Sequence, residues 1–389
     1  MAQFEPISDQ TDSGDHVAAE TLVVGGGIAG MTAAIETAEL GKQVILVERS
    51  PSLGGRVAAM NQYFPKLCPP TCGMEINLKR MRSNPNIRVL TLAEVDDLAR
   101  RALAACGAHG QQLELAVQSV VDAECDGIRT VGLNYLPLYC GHLQVGKLNL
   151  DAAPGHEKIA PSAFRVHADS GFAHAAYAEA ESDFYALARR QGIAALSIVD
   201  SYSAGVVGWF VQRIAGAGLI GLGFANSPSA VAPAPGASPF FGTNPMAFAI
   251  PRGDDAPIIA DMATSQVALV TIKQAAAEGR PIPSGWGYDK QGLDTTDPAA
   301  VIDGGTLAPA GGYKGMLLGL LVDVLAGVLS GPNCSFQAPV FKNNTGGALK
   351  VGQFFIAAIS WQLIPVQKEC FASLAMTNKN VNYLPLRFP

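Results

Sequence analysis

The chain of 389 residues has few charges and no run of basic residues. Charged side chains make up 15% of the sequence, and the formal net charge is −6. Proteins that bind nucleic acid carry Lys and Arg clustered on one face or along one helix. The composition therefore gives no support to a nucleic-acid partner.

Long hydrophobic segments are also absent. Residues 1–16 are polar and acidic, without the basic and apolar regions of a signal peptide. The most apolar run, residues 315–331, carries Asp323 at its middle and is shorter than the ~18 residues that indicate a membrane span. We interpret it as a buried core helix and expect no membrane partner.

Cysteines are few and do not form a regular pattern. An odd, scattered set is typical of proteins in a reducing compartment, so we expect a cytoplasmic protein without structural disulfides. The seven cysteines are Cys68, Cys72, Cys106, Cys125, Cys140, Cys334 and Cys370.

Glycine is abundant, with 42 residues, and one glycine cluster has a specific arrangement. Gly25, Gly27 and Gly30 form a G-x-G-x-x-G pattern directly after the apolar stretch TLVV. The pattern predicts a strand, a tight turn and a helix whose N-terminus faces a pyrophosphate. Glu48, at the end of the next predicted strand, is placed to accept a hydrogen bond from a ribose hydroxyl. The segment predicts a dinucleotide-binding βαβ unit.

The stretch GGRVAAMNQYFPKLCPPTCGMEINLKR follows this unit. With the glycine turn, it resembles the FAD-binding start of the heterodisulfide reductase flavoprotein family over residues 20–95. The resemblance implies an FAD domain with Gly54, Gly55 and Arg56 near the cofactor. The chain shows no second glycine fingerprint after residue 95, so we expect FAD binding to be weak or absent.

Cys68 and Cys72 flank two prolines in this stretch. The resemblance leaves redox or cluster chemistry open, and two free thiols in a loop are the alternative. A zinc site needs four ligands, and no Cys/His cluster accompanies the pair, so we predict no metal.

From residue 91 the pattern changes. TLAEVDDLARRALAACGA and QQLELAVQSVVDAECDGI have the apolar spacing of two helices. Short apolar stretches then alternate with Gly- and Pro-rich loops, among them GTNP, DMATS and GGYKG. Lys314 lies between glycines at the start of an apolar helix, where side chain and helix amides suit an anion. A solvated lysine in a turn is the alternative.

The order of these blocks, with LPLYCGHLQVGKLN, resembles the malate/L-lactate dehydrogenase family over residues 91–358, most of all its sulfolactate dehydrogenase branch. The resemblance implies a non-Rossmann α/β fold, NAD or NADP as cofactor, a small 2-hydroxy or 2-oxo acid as substrate, and a homodimer. It also implies that Arg129 pairs with the substrate acid and that Thr130, Tyr202 and Lys314 belong to the catalytic site. The implied cofactor-binding residues are Gly242, Thr243, Asn244, Asp261, Thr264, Ser265, Gly312 and Lys314.

One catalytic group of this family is missing. Its base is a histidine between Ser/Thr and Gly, and this chain has Val131 between Thr130 and Gly132. His142 is 11 residues farther along and cannot take that place by a one-residue slip. Tyr202 can donate a hydrogen bond, but a phenol with a reference pKa of ~10 is a poor base at neutral pH. We therefore expect impaired activity.

The sequence predicts an α/β protein in which a truncated Rossmann-like βαβ unit precedes a malate/L-lactate dehydrogenase-type domain, as in a chimera. The expected segments are a disordered N-terminus (1–17), the partial FAD or dinucleotide segment (18–90), the main domain (91–358) and an unmatched tail (359–389). Two alternatives remain, an FAD-dependent electron-transfer flavoprotein and a nucleotide-binding protein without turnover.

Overall fold

A computed structural model describes residues 19–50, 52–58, 71–91, 95–126, 128, 130–233, 236–253, 255–341 and 343–359. The expectations for residues 1–17, Cys68, Arg129 and the tail after Ile359 lie outside this part of the chain. The side chains of Arg56 and Cys72 lie outside it as well.

The chain divides into two compact units, Met1–Leu98 and Ala99–Pro389. The predicted boundary was residue 90, whereas this division falls within a helix that spans Val95–Ala105.

Unit 1 contains a three-stranded parallel sheet in the order β1-β2-β3. The predicted strand–turn–helix–strand arrangement is present. The strands are β1 (Thr21–Val24), β2 (Val44–Glu48) and β3 (Ile87–Thr91). The helices are α1 (Ile28–Glu39), α2 (Gly55–Ala58) and α3 (Thr71–Ser83), and α4 (Val95–Ala105) crosses the division between the units.

Unit 2 is built on a seven-stranded sheet in the order β4-β5-β6-β12-β7-β8-β9, in which only β5 and β6 pair in parallel. A small β10-β11 pair lies apart from it. The strands are β4 (Gly155–Ala160), β5 (Ala163–His167), β6 (Ile193–Ser201), β7 (Leu219–Ala225), β8 (Met246–Arg252), β9 (Asp255–Met262), β10 (Gly287–Tyr288), β11 (Thr306–Leu307) and β12 (Val351–Ile359).

Helices pack on this sheet and carry the loops at its ends. The two helices expected from the apolar spacing at the start of the domain are present as α4 and α5. The helices of this unit are α5 (Gly110–Cys125), α6 (Leu136–Gln144), α7 (Ala173–Gln191), α8 (Val207–Gly216), α9 (Leu269–Ala277), α10 (Pro298–Ile302) and α11 (Tyr313–Asp323). A π-helical segment, Val324–Leu329, continues α11.

The main core lies between the sheet and helices α7 and α8. Ala173, Tyr177, Ala180, Phe184 and Leu187 are all buried, and their spacing places them on one face of α7. Gly192 ends the helix in the left-handed conformation at φ 85°, and β6 begins at the next residue. This packing fixes the loops that follow β6 and precede α7.

Helix α11 corrects one expectation, because its apolar face is not buried. The residues that face inward are Gly315, Gly319, Val322 and Asp323. Leu317 is 51% exposed, and Val328 in the π-helical continuation is 64% exposed. Small residues therefore face the protein and leucines face outward. No helix among the described residues is long and apolar enough to cross a membrane.

Candidate functional site

The structure brings together the three loops that the sequence singled out in unit 2. The backbone N–H of Thr264 donates to the carbonyl of Thr243 at 2.9 Å, and the Thr264 hydroxyl donates to the same oxygen at 3.1 Å. The N–H of Ala310 donates to the Thr264 carbonyl at 2.9 Å. The loops GTNP, DMATS and GGYKG, far apart in sequence, therefore form one hydrogen-bonded cluster, which we call the three-loop cluster (residues 242–245, 261–265 and 310–315).

Several residues predicted to bind the cofactor make contacts within this cluster, and their role in cofactor binding stays a prediction. Asn244 is fully buried; its Nδ2 donates to the Gly319 carbonyl at 2.9 Å and its Oδ1 accepts from the Ser335 hydroxyl at 3.0 Å. The hydroxyl of buried Ser265 donates to the Val267 carbonyl at 2.9 Å. Gly242 has no room for a β-carbon, which would lie 2.2 Å from the Ser227 carbonyl oxygen. The structure assigns these residues positioning contacts.

Lys314 is exposed at the surface of this cluster, as the second residue of α11. Gly311 and Gly312 precede the helix with φ of 63° and 68°, values that glycine adopts without strain. No ion pair of Lys314 occurs among the described side chains. The first amides of the helix lack helical acceptors, so lysine and amides together present positive charge to an anion.

A pocket of about 190 Å³ lies beside this cluster. Ile128, Val206 and Trp209 form part of its apolar wall, and Arg252 and Asp261 contribute charged groups. Asp261 belongs both to the DMATS loop and to the pocket wall. Asp261 is thus common to the three-loop cluster and the pocket, and Ile128, three residues before Val131, lies in the wall of the same pocket.

Asp261 holds the N-terminus of helix α8. Its Oδ2 accepts a hydrogen bond from the Gly208 N–H at 2.7 Å. Burial of the carboxyl group raises its pKa to about 6, and the N–H groups of Gly208 and Val207 oppose this shift. A carboxylate and its protonated form therefore exchange near pH 6 in the wall of the pocket.

We expect Asp261→Asn to stabilise unit 2 at neutral pH. A carboxyl whose pKa rises from 3.8 to about 6 on folding stabilises the folded state fully below pH 3.8 and loses this contribution as pH rises through about 6. Asparagine keeps an acceptor for Gly208 and has no charge to desolvate. The variant should be close to the wild type near pH 4 and exceed it by up to about 3 kcal/mol above pH 6.

Urea unfolding at pH 4, 5, 6 and 7 measures this difference, with Asp303→Asn at an exposed acid as the matched control. A difference that does not grow with pH would show that Asp261 is not the destabilised carboxylate.

The turn at the missing base is well formed. The N–H of Val131 donates to the Ile128 carbonyl at 3.2 Å, and the N–H of Leu133 donates to Glu124 Oε1 at 2.8 Å. Thr130 is exposed and Val131 is partly exposed. The backbone is therefore ordered at this position, and the side chain of residue 131 has access to solvent.

The structure does not bring Tyr202 to the pocket. Tyr202 is fully buried, and its hydroxyl donates to Nδ1 of His142 at 2.6 Å. Nε2 of His142 donates to the Asn343 carbonyl at 3.0 Å, and Nζ of Lys147 donates to the same oxygen at 2.7 Å. The hydroxyl of Tyr202 thus already has a partner inside the protein, and its place in the catalytic site stays a prediction.

The sequence patterns did not predict this buried cluster of polar groups, which consists of Tyr202, His142, Lys147 and Asn343. Burial lowers the pKa of both His142 and Lys147; the nearby Lys147 charge also lowers that of His142, and the contact with Asn343 opposes the shift. The available signal was a pair of basic residues inside the otherwise apolar stretch LYCGHLQVGKLN.

The glycine turn in unit 1 has the predicted geometry. Gly25 has φ 96°, and a β-carbon on Gly30 would lie 1.9 Å from the Gly25 carbonyl oxygen, so helix and strand approach as closely as expected. Space is open in front of Gly27. The three residues therefore fit the turn, the phosphate approach and the close packing of a dinucleotide fold.

Glu48 already has hydrogen-bond donors in this turn. Oε2 accepts from the Gly26 N–H at 2.5 Å and Oε1 from the Ser50 N–H at 2.7 Å. Burial alone would raise the pKa of Glu48, but these two N–H groups, the Ser50 hydroxyl and the Arg49 charge together outweigh it, and the pKa lies below its ordinary value. Gly54 also contacts the turn, since its N–H donates to the Gly26 carbonyl at 2.7 Å. The ribose contact of Glu48 stays a prediction.

Neither metal ligands nor disulfides stand out in the described part of the chain. No group of three or more His, Cys, Asp or Glu side chains there has the arrangement of a metal site. Four cysteines are free thiols, namely Cys106, Cys125, Cys140 and Cys334.

Comparison with known proteins agrees with this architecture. The solved structure of Δ1-piperideine-2-carboxylate reductase from Pseudomonas syringae is similar with a TM-score of 0.70 and 33% identity, covering 75% of this chain and 89% of that one. The fold is thus that of an α/β oxidoreductase. The malate/L-lactate dehydrogenase model matches residues 90–374, and the chain belongs to this family.

Two relatives illustrate the range of the family. The (2R)-3-sulfolactate dehydrogenase (NADP(+)) of Chromohalobacter salexigens is 40% identical over 69% of this chain and 80% of that protein. The Δ1-pyrroline-2-carboxylate/Δ1-piperideine-2-carboxylate reductase of Pseudomonas syringae pv. tomato is 35% identical over 69% of this chain and 78% of that protein. A second model, FAD dependent oxidoreductase, matches residues 20–69. Both resemblances seen in the sequence are confirmed, and the main match extends into the tail as far as residue 374.

Proposed function

We propose that the chain is an NADP-dependent oxidoreductase that acts on the carbon next to the carboxylate of a small acid. The observation that carries the proposal is the three-loop cluster, which presents Lys314 and the first amides of α11 at its surface and shares Asp261 with the pocket. These groups fit the anionic part of a nicotinamide dinucleotide. The preference for NADP over NAD follows the cofactor named for the sulfolactate dehydrogenase relative, and the scattered cysteines support a cytoplasmic location.

When bound, the cofactor exchanges a hydride with the substrate carbon. Reduction of a 2-oxo acid also requires a proton for the developing alkoxide, which Val131 cannot supply. A cyclic imine brings this proton with it, because its nitrogen can bind a proton before hydride arrives. The valine therefore favours reduction of a cyclic 2-imino acid over reduction of a 2-oxo acid such as those derived from malate, lactate or sulfolactate. A cyclic 2-imino acid is the substrate class in the name of the pyrroline-2-carboxylate reductase relative.

We also infer a homodimer formed through the exposed face of α11 and its continuation. An uncharged patch of this kind is typical of protein interfaces. Three leucines there are between 44% and 59% exposed, namely Leu317, Leu321 and Leu329. A face of this kind has no charge pattern that would select a different partner. Light scattering with Leu317→Glu measures this, since a charged residue should shift the mass to that of a monomer. A monomeric wild type would contradict it.

The experiment that tests the proposed function is a titration of the purified protein with NADPH and NADH, followed by turnover assays. Candidate substrates are Δ1-pyrroline-2-carboxylate and the 2-oxo acids of the malate, lactate and sulfolactate type. We expect tighter binding of NADPH and faster reduction of the imine. Binding without turnover on any of these acids would favour the alternative of a nucleotide-binding protein without catalysis.

The second candidate function is an FAD-dependent electron carrier built on unit 1, favoured by the geometry of its glycine turn. We expect purified protein to contain far less than one flavin per chain, because the described sheet of this unit has three strands and a single βαβ unit cannot enclose FAD. The visible absorbance spectrum, in which a bound flavin makes the protein yellow, measures this. Near-stoichiometric flavin would favour the electron carrier and a natural two-domain protein over a chimera of two unrelated proteins.

A further inference from the structure

His174 is a buried side chain that neither the fold nor the proposed chemistry explains. It is the second residue of α7 and is 1% exposed. Both ring nitrogens are buried and lack a hydrogen-bond partner. The ring stacks on Phe210 at 5.0 Å and lies edge-on to Trp209 at 4.9 Å. Buried polar atoms are rarely left unpaired, because their desolvation costs free energy, so this imidazole is arranged to meet a group from outside the chain.

A gap beside Gly205 adjoins this imidazole. A β-carbon on Gly205 would lie 3.7 Å from the Tyr139 hydroxyl and 3.8 Å from Cε1 of His174, which are ordinary van der Waals distances, so the gap admits a methyl-sized group without a clash. Gly205 belongs to the loop that leads into α8, and the next residue, Val206, lines the pocket that contains Asp261. The gap therefore lies beside the proposed reaction site, with a hydroxyl and an imidazole on its walls.

The charges around this gap favour an anion. The first hydrogen bond at the start of α7 runs from the Ala176 N–H to the Phe172 carbonyl, and the Phe172 N–H itself donates to Gln112 Oε1 at 2.9 Å. The amides of the first helical turn have no acceptor within the helix. These amides carry the positive end of the helix dipole. Burial, with a smaller contribution from Arg213, lowers the pKa of His174 to about 3. The imidazole is thus neutral at pH 7 and retains one N–H to donate, while Arg213 itself pairs with Glu181 at 2.8 Å.

We propose that His174 and the Tyr139 hydroxyl bind the carboxylate of the acid substrate at the N-terminus of α7. The imidazole N–H and the phenol O–H donate to the carboxylate oxygens, and the helix amides add favourable potential. This inference rests on the proposed function, since it names the group that recognises the acid. In this proposal, two neutral hydrogen-bond donors and the helix dipole make the site specific for an acid.

The test compares two probes that differ in charge, pyrrole-2-carboxylate and pyrrole-2-carboxamide. Isothermal titration without cofactor measures both dissociation constants, so the result does not depend on turnover. We expect His174→Phe, which keeps the aromatic packing, to weaken carboxylate binding by ~10- to 100-fold, the range for a hydrogen bond to a charged group. Carboxamide binding should change by less than ~3-fold.

Three further variants complete the test. Tyr139→Phe removes one oxygen atom and should weaken only carboxylate binding, which keeps the inference testable if His174→Phe does not fold. His174→Gln retains an N–H and should recover part of the affinity. Tyr177→Phe is the matched control, because its hydroxyl bonds to Tyr185 at 2.9 Å within the same aromatic core, and it should change neither constant.

Equal effects of His174→Phe on both probes, or no preference of the wild type for the carboxylate, would overturn the inference. Failure of the proposed function would give a different result. The protein would then show no NADPH-dependent turnover but would still distinguish the two probes.

Discussion

Val131→His is expected to raise turnover with 2-oxo and 2-hydroxy acids by ~10²-fold, the lower end of what a general base contributes. Thr130 and Gly132 match the family motif on either side. The Val131 N–H donates to the Ile128 carbonyl at 3.2 Å, so the backbone turn is present, and the Val131 side chain offers no proton acceptor there. An imidazole with a reference pKa of ~6.5 titrates where such a proton transfer operates.

Cofactor binding should change little in this variant, because the three-loop cluster lies on other segments of the chain. Its dissociation constant is expected to shift by less than ~tenfold, or ~1.4 kcal/mol. Reduction of Δ1-pyrroline-2-carboxylate provides the internal control, since a protonated imine does not need the new base.

Steady-state kinetics of both proteins on malate, lactate, sulfolactate and the imine acid measure this effect. A melting curve checks that the larger side chain has not destabilised the protein, because overpacking lowers the free energy of unfolding by ~1–3 kcal/mol. Equal rates in a well-folded variant would show that the missing histidine is not the main defect.

His142→Phe is expected to destabilise unit 2 by about 2–4 kcal/mol. The imidazole joins Tyr202 to the Asn343 carbonyl inside the protein, and phenylalanine keeps the ring contacts while leaving the Tyr202 hydroxyl without its partner. A buried polar group without a partner costs about 1–3 kcal/mol, and the loop held by Asn343 loses one of its two donors.

Denaturant unfolding followed by tryptophan fluorescence measures this effect, because Trp209 and Trp286 both belong to unit 2. Tyr202→Phe is the companion variant, and the double variant closes a thermodynamic cycle. The double variant should be less destabilised than the sum of the two single variants, since the second change removes an unpaired group. Strict additivity would mean that His142 and Tyr202 are not energetically coupled.

Local patterns in the sequence predicted the parts of the fold whose cause is local. The glycine turn at Gly25 and Gly30 depends on residues within one strand–helix unit, and its geometry agrees with the prediction. Helix α11 begins at Tyr313, directly after the two glycines of GGYKG. The last predicted strand is β12, at Val351–Ile359. In each case a short stretch contains the residues that determine the structure.

Contacts between distant segments could not be predicted in this way. Asp261 bonds to Gly208 across 53 residues, and His142 contacts Asn343 across 201 residues. The sequence shows an acid and a histidine but not what they face. Asn244 illustrates the same limit, since a motif residue expected to contact the cofactor turns inward to the Gly319 carbonyl. The outward leucines of α11 had no local signal either, because periodicity identifies an apolar helix without identifying its neighbour.

The glycines on the inner face of α11 allow the helix to pack closely against the neighbouring loops. A β-carbon at Gly315 would lie 2.2 Å from the Ala310 carbonyl oxygen, and one at Gly319 would lie 3.3 Å from the Thr264 hydroxyl. Gly319 therefore limits how closely this helix approaches Thr264 of the DMATS loop, and Gly315 limits how closely it approaches the loop that precedes it. A methyl group at Gly319 would move the helix away from the DMATS loop by a fraction of an ångström and carry Lys314 outward with it. Gly315 does not tolerate an added methyl group in this way. The distance between Lys314 and the DMATS loop is thus adjustable in one small step at Gly319.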